Sequence, residues 1–379
     1  MAELLLQPPE APLDVLVVSH THWDREWYRT AGEFRQLLVA LIDELLDHPA
    51  STPFLLDGQS ILLTDYLALR PERAAELRTA FREGRLEAGP WYVLADGLIP
   101  SGEALVRNLL QGRRALRSIG ATAPPVLYSP DAFGHPAALP ELAHGFGAWL
   151  AVVWRGYGGS RWPAGDVARW TAPSGHEVLL LHLASDGYEL GSSLPTADGD
   201  ARVRWATLRP VLASRARLGV VLLPNGADHH ARQRNLSGAL AALARVASPD
   251  RVRAAGLVQL AEELVVRGAA TELPRLHGEL RDSYGYTWTL GGTLASRASQ
   301  KRRNARLERL LLRDVEPWVA HALRNGDPTA GVFLDASWRL LLECHPHDSL
   351  CGCSTDDVAA AVEARFARVE HEATFLRDR

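Results

Sequence analysis

The hydrophobic positions of this chain fall into two regimes. Up to about residue 280, short apolar runs recur around Val17, Leu55, Val126, Val152, Leu180 and Leu222, each followed by a turn and then by helical spacing. Short apolar runs bounded by turn residues predict buried strands, and strands alternating with helices predict a largely parallel α/β sheet or barrel. Between the first two runs, Phe34, Leu37, Leu38, Leu41, Ile42, Leu45 and Leu46 follow the i, i+3, i+4, i+7 rule and predict an amphipathic helix. Beyond residue 280 the strand-like runs stop, and 296–324 and 357–376 carry Arg, Ala, Leu and Glu at helical spacing. The pattern predicts an α/β region over 1–275 and a helical region over 276–379, with the boundary in the Gly- and Pro-containing stretch 268–292. No internal repeat, heptad array or low-complexity tract is present.

Composition acts mainly by exclusion. At 379 residues and 47% hydrophobic side chains, the chain can bury the cores of two or three domains. Its net charge of -4 offers no basic stripe for nucleic-acid phosphates or an anionic membrane, so neither partner is expected. The opening MAELLLQPPEAPLD has no positive n-region and too short an apolar run for a signal sequence, which predicts a cytoplasmic protein. Cys344, Cys351 and Cys353 are odd in number and crowded together, a layout that suits reduced thiols rather than a disulfide framework. One lysine, Lys301, stands against forty arginines, a bias expected of a GC-rich genome.

Candidate chemistry gathers where apolar runs end. The first run leads into HTHWDREWY, and residues two apart in an extended chain point the same way, so His20, His22 and Asp24 can share one face. In α/β barrels the strands' C-terminal ends are where loops converge to build a site. The run VLY leads into SPDAFGHP with Asp131, a carboxylate placed to bind a metal, attack a substrate, or merely cap the next helix. VVLL ends in PNGADHH, where Asp228 can supply a proton to a leaving group, although an Asn-Gly turn explains the segment equally well. In the helical region, CHPHDSLCGCS offers His345, His347, Asp348 and the three cysteines. Its cysteine spacing lacks the paired Cys-x2-Cys knuckles of structural zinc sites, so a histidine completing a distant site is the better reading.

HTHWDREWY, FLLDGQ, GPWY with SGEALVRNLLQG, YSPDAFGHP, VVWRGY and CHPHDSLCGCS, in that order from residue 15 to about 355, together resemble glycoside hydrolase family 38, the α-mannosidases that include mannosylglycerate hydrolases. The resemblance implies a seven-stranded, mostly parallel α/β barrel followed by a three-helix bundle. It implies a zinc ion held by His22, Asp24, Asp131 and His347, and it is the resemblance that selects His22 over His20 and His347 over His345. It further implies that Asp131 is the nucleophile of a retaining reaction and Asp228 the general acid/base, with the two carboxyls about 5 to 5.5 Å apart. By the same similarity Trp27 and Phe133 form apolar walls for the sugar, Arg155 binds Asp131 or a sugar oxygen, and Asp186 and Asp348 receive hydroxyl hydrogen bonds. The expected substrate is an α-mannoside.

Two departures accompany the likeness. The β-sandwich domains that usually follow in this family are not in the sequence, which leaves a second chain or self-association as an expected partner. Where family members often carry an acidic residue after the aspartate of the ADGL segment, Gly97 stands here. Two rival readings remain open at this stage: a metal-dependent sugar deacetylase, and a relative that binds zinc or sugar without turnover.

Overall fold

The computed structural model describes residues 10–158, 162–283 and 288–378. Ten strands are present among them: β1 (Asp14–His20), β2 (Phe54–Leu55), β3 (Leu86–Glu87), β4 (Val126–Ser129), β5 (Leu150–Val153), β6 (Val167–Thr171), β7 (Glu177–His182), β8 (Val220–Asn225), β9 (Arg251–Ala254) and β10 (Arg275–His277). All six apolar runs predicted as strands are strands. The other four escape the hydrophobic pattern, because β3 and β10 span only two and three residues and β6 (VARWT) and β9 (RVRA) interleave arginines.

The first sheet runs β3-β2-β1-β8 with β9 also on β1, all pairs parallel. The second runs β10-β6-β7-β5-β4, parallel except for the β6/β7 pair. The α/β class is as expected. A single closed seven-stranded barrel is not what the pairings draw; among the described residues they form two separate five-stranded sheets.

The two sheets nevertheless share one core. Successive residues of a strand point to opposite faces, and both faces of β1 are buried: Leu16 and Val18 pack with Val126, Tyr128, Val152 and Leu181 of the second sheet. Val15 and Val17 pack instead against Leu208 and Leu212 of the helix Asp198–Ala213 and Leu243 of the helix Leu236–Val246. This double burial explains why β1 reads as an uninterrupted apolar run.

The amphipathic helix forms over Ala31–Asp47, its start secured by the Glu33 carboxylate, which accepts from the Thr30 backbone N–H at 2.9 Å. Phe34, Leu38, Leu41, Ile42, Leu45 and Leu46 are buried as predicted, but Leu37 is 45% exposed, at the edge of the apolar stripe. The helical region comprises Ala298–Arg309, a wider π turn at Leu310–Val315, Glu316–Arg324, Thr329–Leu342, the five-residue His347–Cys351 and the long Asp356–Asp378. Leu307, Leu311, Leu334, Trp338, Leu341, Val362, Phe366 and Val369 form its core, which also takes in Ala104 from the helix Gly102–Ser118 of the α/β region.

Candidate active site

Past His20 the chain stays extended beside the continuation of β8. The His22 N–H donates to the Ala227 carbonyl (3.2 Å), and the His229 N–H donates to the His22 carbonyl (2.8 Å), pairing His22 with Asp228 in parallel. The β1/β8 ladder thus delivers His22, Asp24 and Asp228 to the same sheet end. Asp131 arrives two residues beyond the end of β4. His347 comes from the helical region, its backbone N–H donating to the Leu94 carbonyl at 2.9 Å.

These side chains converge. His22 Nε2 lies 3.1 Å from Asp24 Oδ1, and His347 Nε2 lies 3.3 Å from Asp24 Oδ1, 3.4 Å from Asp131 Oδ2 and 3.4 Å from Asp348 Oδ2. Three overlapping trios, His22/Asp131/His347, His22/Asp24/Asp228 and Asp24/His347/Asp348, each bring their donor atoms within 4.8 Å of one another. His22, Asp24, Asp131 and His347 are all buried, yet neither ring nitrogen of His22 nor Nε2 of His347 makes a hydrogen bond. Buried polar atoms without partners are costly. The two imidazoles and two carboxylates that these overlapping trios bring together are donor types that fit zinc.

Asp57 supports this set from behind. Held at φ +76°, it accepts hydrogen bonds from the Trp23 N–H (3.0 Å), the Gly58 N–H (2.8 Å) and Gln59 Nε2 (3.0 Å), and its Oδ2 lies 3.3 Å from His22 Nδ1. A carboxylate behind an imidazole fixes the ring's orientation and raises its basicity.

The carboxyls titrate in opposite directions. Burial opposes the charge of Asp131, but the His347 imidazole, its Nε2 3.4 Å from Asp131 Oδ2, and the Arg155 guanidinium, whose Nε donates to Asp131 Oδ1 at 2.6 Å, hold it below the ordinary carboxylate range. Burial pushes Asp228 up, and although His22 opposes this, the negative charges of Asp24 and Asp131 add to the rise. The Tyr188 side chain faces Asp228, and its ring lies 4.8 Å from that of His22. Burial works against a charge on His22 and His347 as well, but the surrounding carboxylates raise both well above the imidazole range. The cluster as a whole is electrostatically suited to a cation.

Of the remaining residues predicted for the site, Phe133, Arg155 and Asp348 join it: the Phe133 ring is 5.3 Å from that of His347 and 5.5 Å from the Arg155 guanidinium. Trp27 and Asp186 make no hydrogen bond, ion pair or ring contact with it. Trp27 packs on Tyr28 (5.1 Å between ring centres), and its carbonyl accepts from the Thr355 N–H. Asp186 is exposed just before the turn Gly187–Glu189. The two histidine pairs are resolved by geometry, since His20 Nε2 bonds the Tyr188 carbonyl (2.7 Å) and His345 Nε2 bonds Asn304 Oδ1 (2.8 Å). The cysteines do not form a zinc site of their own: Cys351 donates to Asp96 Oδ2 (3.3 Å), Cys353 to Asp348 Oδ1 (3.0 Å) and Cys344 to the Leu340 carbonyl. At Gly97 a Cβ would stand 2.7 Å from the Gly134 carbonyl, so the loop after Asp131 occupies the space that any side chain there would need.

Asp57, Tyr188 and His229 were not singled out by sequence reasoning. Asp57, at the end of a predicted strand, carries the same signal as Asp131. Tyr188 and His229 carry none, because only the fold sets the first beside Asp228 and stacks the second on Phe34 with its Nε2 3.2 Å from the Asp24 N–H.

The model of the glycosyl hydrolases family 38 N-terminal domain matches residues 12–253, and that of the alpha mannosidase middle domain matches residues 287–379. A putative mannosylglycerate hydrolase of Halalkalibacterium halodurans is 35% identical over 94% of this chain and 41% of its own length. The crystal structure of an alpha-mannosidase from Enterococcus faecalis V583 superposes with a TM-score of 0.89 at 31% identity, over 97% of this chain and 42% of that one. A GH57 branching enzyme from Thermococcus kodakaraensis, at 12% identity and a TM-score of 0.58 over 95% of this chain and 90% of its own, shares the fold alone. This chain therefore spans about two fifths of the length of the family relatives it matches, and it belongs to glycosyl hydrolase family 38.

Proposed function

We propose that this chain is the catalytic portion of a retaining α-mannosidase that hydrolyses terminal α-mannosides, with an α/β region (1–275) and a helical region (276–379) that donates His347. The observation that carries the reading is the convergence of two carboxyls on His22, Asp131 paired with the Arg155 guanidinium at 2.6 Å and Asp228 beside His22 and Asp24, with the pKa of Asp131 lowered and that of Asp228 raised. Such divergence is how a glycosidase assigns nucleophile and proton donor.

In the first step an Asp131 oxygen forms a bond to the anomeric carbon while the bond from that carbon to the leaving oxygen breaks, and Asp228 gives its proton to the leaving oxygen. In the second, water attacks the same carbon and loses a proton to Asp228, the Asp131 ester bond breaks, and mannose leaves with its configuration retained. Arg155 holds the attacking carboxylate ionised and oriented. Phe133 supplies an apolar wall and Asp348 a hydroxyl partner, while Trp27 and Asp186 are assigned to the outer rim, met by the substrate rather than by the cluster. A zinc ion held by His22, Asp24, Asp131 and His347 would supply a Lewis-acid anchor for sugar hydroxyls.

Asp228 shares a trio with His22 and Asp24, which favours a glycosidase over a deacetylase, since the latter needs no acid opposite a nucleophile. The test is hydrolysis of a chromogenic α-mannoside by the 379-residue chain with zinc, the anomer first released being read by NMR. Asp131→Ala should lower kcat/KM by about 10⁴-fold or more, as expected for removing a nucleophile. Release of the β-anomer, or an Asp131→Ala enzyme as active as the wild type, would sink the proposal.

A further inference from the structure

We propose that Glu26 is a positioning residue that clamps the two ligand-bearing segments together across the seam between the α/β and helical regions. The inference rests on reading His22, Asp24, Asp131 and His347 as zinc ligands.

Glu26 follows Asp24 by two residues, and Ser349 follows His347 by two. The Ser349 hydroxyl donates to Glu26 Oε2 at 2.9 Å, so a direct hydrogen bond joins the two segments just beyond the point where Asp24 and His347 themselves meet. The remaining capacity of the carboxylate is taken by Arg365, on the long C-terminal helix, whose Nη1 donates to Oε1 at 2.8 Å and whose Nη2 donates to Oε2. Glu26 thus carries a forked ion pair and a hydroxyl bond while its side chain is 0% exposed.

Arg25, the preceding residue, reaches the helical region by a different route: its Nε pairs with Asp65 at 2.9 Å and its Nη2 with Glu343 at 3.3 Å. Two consecutive charged residues after Asp24 therefore grip the helical region at separate points. Burying a carboxylate is a poor way to gain stability, because an apolar pair of similar volume often does as well. It is a good way to fix geometry, since a forked arginine and a hydroxyl leave the carboxylate one orientation. Ligand sets hold their metal only when placed within about 0.5 Å of the productive geometry, and His347 belongs to a helix too short to impose that alone.

The experiment compares zinc affinity, measured by competition with a chromophoric chelator at fixed pH, with the melting temperature of the zinc-free chain. Ser349→Ala removes the bond between the two ligand-bearing segments while leaving the Glu26–Arg365 pair, which also crosses the seam, intact, so no charge is stranded. It should weaken zinc about 10- to 100-fold, the scale for losing an outer-shell partner, with the zinc-free melting temperature nearly unchanged. Glu26→Gln should weaken zinc at least as much. Ser337→Ala is the control: this serine is also buried in the helical region, its hydroxyl has no hydrogen-bond partner, and its loss should leave zinc affinity at the wild-type value. Wild-type zinc affinity in Ser349→Ala overturns the clamp, as does a loss of affinity matched by Ser337→Ala. A wild-type chain that binds no zinc overturns the ligand assignment instead, and so separates the two claims.

Discussion

The strand ends and the helical region place their side chains in the same cluster by different physics. His22, Asp24 and Asp228 ride on a backbone ladder in which Asp14 through Ser19 lie opposite Val220 through Asn225 without interruption. Their positions follow from register, and register is enforced by burial of both faces of β1. His347 has no such ladder. It stands at the start of a five-residue helix and is placed by one backbone bond to Leu94 and by side-chain ties across the seam. The site is therefore held firmly on one side and docked on the other, and metal binding should fail through the docked side before the α/β region fails.

The hardest test of that asymmetry is His347→Ala. It should weaken zinc by more than the roughly 100-fold ceiling for outer-shell changes and abolish α-mannoside turnover, while circular dichroism stays at the wild-type value. Loss of helical and strand signal together would show that both regions depend on the ligand equally.

A smaller effect sharpens the comparison from the strand side. In the proposed mechanism Asp228 acts in its protonated form, and its pKa is raised, first by burial. Activity should be full below that raised pKa and fall as pH climbs through it, above the range of a free carboxyl. The same mechanism uses Asp131 as the ion, and its pKa is lowered, so the acid limb should appear only as pH drops through a value below that range. Mutation to Asp228→Asn should remove the alkaline limb from the pH profile of kcat/KM along with most of the rate, about 10²- to 10⁴-fold for a general acid. An alkaline limb that survives in the residual activity would move the acid role to another group.

The smallest effect is expected at Leu37, which keeps the helical spacing of its neighbours but faces solvent. Leu37→Ser should change stability by no more than about 0.5 kcal/mol as judged by urea denaturation, whereas the buried neighbour Leu38→Ala should cost about 2–5 kcal/mol.

Strands buried on both faces announce themselves as apolar runs, and all six such runs are strands. The short β3 and β10 and the arginine-bearing β6 and β9 give no such signal, because their pairing comes from what lies beside them. In the site, His22, Asp24, Asp131 and Asp228 were legible as polar residues at strand ends, a local property. Apart from the family resemblance, nothing local distinguishes His347 from His345, two residues apart in one segment. The fold does so by turning His345 to Asn304 and His347 to Asp24 and Asp131.

The sequence by itself determined the α/β class, the change to a helical region, the family and the chemical types gathered at the strand ends, because hydrophobic period and motif order are local and linear. Tertiary structure alone decided that the strands form two five-stranded sheets, that Tyr188 and Asp57 stand behind the cluster, and that Glu26 meets Ser349 and Arg365 across the seam. Those contacts join residues far apart in the chain, and their partners are selected by packing and charge compensation that no single segment encodes.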